Sequence, residues 1–168
     1  MTKLLKIKPF QETLNKGYCG PAVLKMVLKY YGIEKSENAL AKLADTSKNA
    51  GTDARAIMRV LKKFGIKSKI KNNANFSDIR KYLNMDIPII VDWFTRGRKD
   101  YPDSAVADGH YSIVVALDKK FIYLQDPEIG KIRKLAKADF LCVWFDYSGE
   151  FLKFPKQMII RQLIAVYK

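Results

Sequence analysis

The chain has 168 residues, 48% of them apolar, with 31 lysines and arginines against 17 acidic side chains, one histidine and two cysteines. That length suits one folded domain with a real core; the composition excludes wholesale disorder, and no run reaches the roughly 18 apolar residues of a membrane-spanning helix. The formal charge of +14 attracts polyanions in general, but 24 lysines and 7 arginines carry it from Lys3 to Lys168, so it reads as a solvated lysine surface.

At the N-terminus, lysines 3, 6 and 8 interrupt the apolar stretch that a secretory signal would need. Residues 19–31 then read as a helix. Pro21 falls in the first turn, where its missing N–H costs nothing, and Gly32 suits a left-handed C-cap. Only Lys25 and Lys29 are polar inside it, four apart on one stripe, so the helix is expected to be buried nearly all round. Ser36 caps a second helix to about Ala44, with Leu40 and Leu43 inward. Thr52 or Asp53 caps a third, with Ile57, Leu61 and Phe64 at helical spacing and Gly65 ending it. Residues 66–71 alternate as a half-buried strand does, and Asn75 or Ser77 starts a short helix carrying Ile79, Tyr82 and Leu83.

The second half changes character. Pro88-Ile-Ile-Val-Asp-Trp93 is a compact apolar strand, followed by a polar loop expected from Thr95 to Asp108. Residues 110–117 and 121–125 form a hairpin over Asp118-Lys-Lys120, and residues 127–130 form a turn. Residues 135–145 are mixed, and 158–167 lean to strand on β-branched content. Helices first and strands second predict an α+β fold.

Chemistry concentrates on few residues. Two cysteines 123 positions apart make neither a disulfide framework nor a zinc site of usual spacing, and a cytoplasmic, reduced protein is expected. Cys19 opens the central helix, whose N-terminal field favours a thiolate. The imidazole such a nucleophile needs can come only from His110, and Asp126, ending the next strand, can orient the ring. Sharing one face requires Ser112 to oppose Asp126, which a three-residue loop at 118–120 delivers; a two-residue loop turns the aspartate away unless a bulge intervenes. The Cys19 N–H and a side-chain amide from Gln11 or Asn15 would make an oxyanion hole. Read singly, each has a plainer meaning: a small core thiol, a structural histidine, a turn residue before Pro127. Cys142, within Phe140-Leu-Cys-Val-Trp144, is expected in the core, and Trp93, Phe94, Tyr101 and Trp144 in core or rim. Phosphate loops, dinucleotide glycines and metal spacings are missing from the sequence, so no cofactor and no metal are expected.

Together the segments resemble a known family. Tyr18-Cys-Gly-Pro-Ala-Val-Leu-Lys-Met-Val-Leu-Lys-Tyr-Tyr-Gly32, the pair Gly51-Thr52 with the helix to Gly65, Gly109-His-Tyr-Ser-Ile-Val-Val115, and Asp126-Pro-Glu-Ile-Gly130 are similar to the papain-like cysteine peptidases that cut bacteriocin leader peptides after a double glycine, family thirty-nine of the cysteine peptidases. The resemblance covers roughly residues 10–145. It implies a single papain-like α+β domain over 1–168, with a helical half at about 10–85 and a sheet half at about 86–168. It further implies a thiol peptidase with Cys19 as nucleophile, His110 as base then acid, Asp126 as orienter and Gln11 in the oxyanion hole, acting on a peptide or protein substrate after small residues such as glycine. Gln11 stands eight residues before Cys19, against about six in the family, so the 14–17 loop must bulge or Asn15 must serve instead. Leader-cutting members usually precede membrane spans and an ATPase, which this sequence lacks. An acyltransferase with the same triad, or a peptide-binding module with impaired catalysis, is the alternative. A specific nucleic-acid partner is not expected.

Overall fold

A computed structural model describes residues 4–96, 107–147, 156 and 158–168. Helix α1, Cys19–Tyr30, has every residue from Cys19 to Leu28 buried except Lys25, and the half-buried Lys25 and Lys29 form its polar stripe. Complete burial of Val23, Leu24, Val27 and Leu28 contributes about 1.5–3 kcal/mol each. Gly32 follows with φ +82°, the left-handed conformation that ends helices.

Helix α2, Glu37–Leu43, is capped by Ser36, whose hydroxyl accepts from Ala39 N, and α3, Ala54–Lys63, by Asp53, which accepts from Ala56 N. Strand β1 is Lys67–Lys71. Helix α4, Phe76–Asn84, starts in a capping box in which Asn75 and Asp78 satisfy each other's backbone N–H groups. Strand β2, Ile89–Arg96, and β3, Ala107–Leu117, run further than expected, taking in Thr95 and Asp108 as ladder partners. Regular pairing there satisfies backbone groups that a loop would leave to water. The rest of the anticipated loop, including Tyr101, lies outside the described residues. Strand β4, Phe121–Asp126, β5, Lys131–Ala136, α5, Lys137–Val143, and β6, Phe145–Tyr147, follow. The C-terminal stretch is strand as expected, but broken at Arg161 (φ +47°) into β7, Met158–Ile160, and β8, Leu163–Tyr167.

Six strands form one antiparallel sheet in the order β1-β8-β2-β3-β4-β5, and β6 and β7 pair separately. The boundary near residue 85 therefore does not divide helix from sheet: β1, from before it, pairs with β8 at one edge, and α5, from after it, packs on β2, β4 and β5. α1 lies against α2, α3 and β3 at the centre of the core. Cys142 departs from expectation. It is exposed, because short α5 turns only Phe140 fully inward, and Leu141 and Cys142 fall on its outer side.

Candidate active site

The β3–β4 hairpin closes tightly. Leu117 pairs with Ile122 and Asp118 N–H donates to Phe121 O at 3.0 Å, leaving Lys119 and Lys120 at the tip. This short tip alone would put Asp126 on the wrong face. A bulge between Val114 and Ala116 shifts the register, so that Ile113 pairs with Gln125 and the next step sets Ser112 toward Asp126.

His110 and Asp126 are both fully buried, and the ring Nε2 lies 2.7 Å from Asp126 Oδ1. The same oxygen accepts from Glu128 N at 3.0 Å, while Oδ2 accepts from Arg133 Nε at 2.5 Å. Arg133 Nη2 also donates to Glu128 Oε2 at 3.1 Å. Burial by itself would raise the Asp126 pKa, but the hydrogen bond and charge of His110, then those of Arg133, outweigh it and hold the carboxyl at about 2. On β2, Trp93 stands opposite His110 in register, its ring edge-on to the imidazole with centroids 5.6 Å apart and its Nε1 donating to Ser112 Oγ at 3.0 Å. Ligand atoms of His110, Asp126 and Glu128 lie within 4.8 Å of one another. Arg133 brings a positive charge to this cluster.

Cys19, 6% exposed, is the first residue of α1. The neighbouring Gly20 lets α1 lie close against Thr52: a Cβ there would lie 2.5 Å from Thr52 Cβ. Tyr111, next to His110, is held well above its ordinary pKa by burial first, then by the charges of Asp92 and Cys19. The start of α1 thus lies within electrostatic reach of β3 at the residue beside the imidazole. Gln11 is exposed and lies against the 127–130 turn. Its Nε2 donates to Glu128 O at 3.1 Å, and a Cβ on Gly130 would stand 2.8 Å from the Gln11 Cβ. Asn15 is exposed with φ +63°, within the turn that precedes Cys19.

On the other face, a carboxyl pair stands beside this site. Asp92 is opposite Tyr111, accepts its hydroxyl and shares a hydrogen bond with Asp146. Burial first, then the charge of Asp146, raise Asp92 well above the carboxylate range, and burial lifts Asp146 to about 6. Of the two, Asp92 is the partner that holds its proton more tightly and donates to Asp146. Sequence reasoning missed this pair, together with Arg133 and Glu128. Arg133 was nonetheless signalled: a four-residue turn pairs Asp126 with Lys131, which places residue 133 on the same face.

A cysteine-opened helix packed on an antiparallel sheet that carries a histidine bonded to an aspartate is the architecture of a papain-like thiol peptidase. A model described as the Peptidase C39 family matches residues 8–151, and the chain belongs to that family of cysteine-type peptidases. It is 29% identical over 145 residues to the "Lactococcin transport/processing ATP-binding protein LcnC-like" of Lactococcus lactis subsp. lactis (strain IL1403), covering 85% of this chain and 18% of that protein. It is 33% identical over 120 residues to an uncharacterized protein of Methanothermobacter marburgensis, covering 71% of this chain and 72% of that one. The chain thus spans only 18% of the lactococcal relative's length. The peptidase domain of Streptococcus ComA superposes with a TM-score of 0.66 at 23% identity, covering 96% of this chain and 98% of that one. A putative C39-like peptidase from Bacillus anthracis superposes with 0.68 at 16%, covering 100% and 98%. At these identities the likeness is one of fold. No helix among the described residues is long and apolar enough to cross a membrane.

Proposed function

We propose that the chain is a single peptidase domain that hydrolyses a peptide bond after a small residue, in the manner of double-glycine leader processing, with Cys19, His110 and Asp126 as its triad. The observation that carries the reading is the buried 2.7 Å contact of His110 Nε2 with Asp126 Oδ1, next to a strand residue that feels the charge of Cys19. With Nε2 on the carboxylate, Nδ1 is the nitrogen assigned to the sulfur.

In this mechanism the Cys19 thiolate attacks the scissile carbonyl carbon. The resulting oxyanion is met by the Cys19 N–H at the helix N-terminus and by the Gln11 amide, whose other hydrogen is held by Glu128 O. Collapse breaks the C–N bond, and the imidazolium gives its proton to the leaving amine. Water, deprotonated by His110, then attacks the thioester, releasing the acid and restoring the thiol. The proposed substrate class is supported by a fold neighbour, a double glycine motif protease solved in complex with the leader peptide. Cys19 and Cys142 form no disulfide, which suits the reducing cytoplasm proposed as the protein's location.

The test uses a Cys142→Ser background, because exposed Cys142 would otherwise dominate any thiol assay. A synthetic peptide with Gly-Gly before the scissile bond is expected to be cleaved, and Cys19→Ala or His110→Ala to lower kcat about 10³-fold or more. Gln11→Ala is expected to cost about 10²-fold and Asn15→Ala little. Cleavage by His110→Ala at the parent rate would refute the triad. Thiolate reactivity at Cys19 below pH 8 without any cleavage would favour the peptide-binding alternative, and product formed only with an added amine the acyltransferase.

A further inference from the structure

We propose that Arg133 is a positioning residue of this peptidase: from β5 it fastens the 127–130 turn through Asp126 and Glu128, and thereby fixes both the His110 imidazole and the Gln11 amide. The inference rests on the triad reading above.

From β5, Arg133 reaches both carboxylates, Nε to Asp126 Oδ2 at 2.5 Å and Nη2 to Glu128 Oε2 at 3.1 Å. Asp126 and Glu128 are buried while the guanidinium is 30% exposed, so the arginine closes the cluster from its solvent side, its Cζ 5.8 Å from the Trp93 ring centroid. Each Asp126 oxygen thus has a separate duty. Oδ2 is held by Arg133, which leaves Oδ1 to His110 Nε2 and Glu128 N. Turning the carboxylate would break charge-assisted bonds on both sides. Without the arginine, two buried carboxylates within 4.8 Å of each other would repel and spread the turn.

The backbone of that turn holds the N-terminal segment. Glu128 O accepts from Gln11 Nε2, Glu12 N–H donates to Pro127 O at 2.9 Å, and Gly130 approaches Gln11 more closely than any Cβ would permit. One guanidinium therefore secures groups that arrive from β3 and from residues 11–12. Lysine would keep the charge but lose the planar fork that spans both carboxylates.

The charge has a second effect. The groups facing the imidazole are Asp126 from β4, Glu128 from the turn, Arg133 from β5 and, on the triad reading, Cys19 from α1. Lys131 pairs with Asp126 in register but points to solvent, and Asp92, Tyr111 and Asp146 lie on the opposite face. Removing Arg133 takes away a cation that opposes the imidazolium and leaves the whole Asp126 charge to it.

Because His110 is the sole histidine, its ring signals in an NMR titration are unambiguous. Arg133→Met and Arg133→Lys are compared with the parent in the Cys142→Ser background, using the Gly-Gly peptide. Arg133→Met is expected to lower kcat about 10²-fold with KM nearly unchanged. It should also move the His110 titration, and the alkaline limb of the rate profile with it, to higher pH. Arg133→Lys is expected to leave the titration in place and restore kcat only in part. An unchanged titration in a folded Arg133→Met protein would overturn the proposal, whatever its rate. If Arg133→Met does not fold, full kcat in Arg133→Lys would overturn it instead. Parent-like cleavage by His110→Ala would sink the triad itself, whereas an inactive His110→Ala beside an unaffected Arg133→Met would remove only the role of Arg133.

Discussion

His110 and Asp126 share a face of the sheet because the ladder between β3 and β4 slips by one residue at Val115. Above the slip the hairpin follows its two-residue tip; below it, the pairing brings the carboxylate under the imidazole. Both side chains are thereby sealed from water, which strengthens the contact and also makes it sensitive to pH.

Acid is expected to destabilise the fold through Asp126. Its folded pKa of about 2 lies below the ordinary value of about 3.9. The unfolded chain therefore binds the proton more readily, and the stabilisation is complete above about pH 5 and lost as pH falls toward 2. The amount is about 2 kcal/mol. Urea unfolding across this range is expected to show a shallower acid decline for Asp126→Asn than for the parent protein.

Asp146 should act in the opposite sense. Burial raises it to about 6, so the folded state binds the proton more tightly than the unfolded chain. Its contribution worsens as pH rises from about 4 through 6 and stays unfavourable above. Asp146→Asn, which can still accept from Asp92, is expected to be more stable than the parent at pH 7.5 and to gain nothing near pH 4. Thermal melts at the two pH values check this.

Gly20 is required by Thr52. A methyl group at residue 20 would meet the Thr52 Cβ at 2.5 Å and Oγ1 at 2.6 Å, and that hydroxyl is already bonded to Thr46 Oγ1 at 2.6 Å. Alanine normally favours a helix by about 1 kcal/mol over glycine. Here Gly20→Ala is expected to destabilise by about 1–3 kcal/mol, as overpacking does. Adding Thr52→Gly should recover part of that loss in denaturant titrations. An equal loss in single and double variants would show that the contact is not the cause.

Gly109 makes room for the Asp146 carboxylate, whose atoms would lie 2.4–2.7 Å from a Cβ at that position. Gly109→Ala is expected to push β6 off β3 beside the imidazole, lowering both melting temperature and cleavage rate. Asp146→Ala removes the opposing atoms, so the double variant should recover most of the melting temperature. A Gly109→Ala protein that melts like the parent would contradict the packing described.

Much of this protein is legible in its linear order. The capping residues Ser36, Asp53 and Asn75, the Gly32 stop and the polar stripe of Lys25 and Lys29 all act within one or two helical turns, so their pattern declares α1 to α4 directly. The pairing of His110 with Asp126 was readable only as a condition, a three-residue loop or a bulge, and it is the bulge at Val115 that meets it. Cys142 was misread. Its apolar neighbours suggest burial, but the orientation of α5 is set by Phe140 packing against Trp93 and Trp144, which no local pattern announces.

Tertiary structure alone decided the rest. The sequence determined α1 to α4, the strand character of β2 to β4 and the residues chemically fit for a thiol mechanism, since propensity, capping and side-chain chemistry belong to single short segments. Packing decided that Val115 bulges, that Arg133 divides itself between Asp126 and Glu128, and that Asp92 meets Asp146 in a hydrogen bond. Those outcomes depend on burial and on the charge of neighbours remote in the chain, quantities that exist only once the strands have come together.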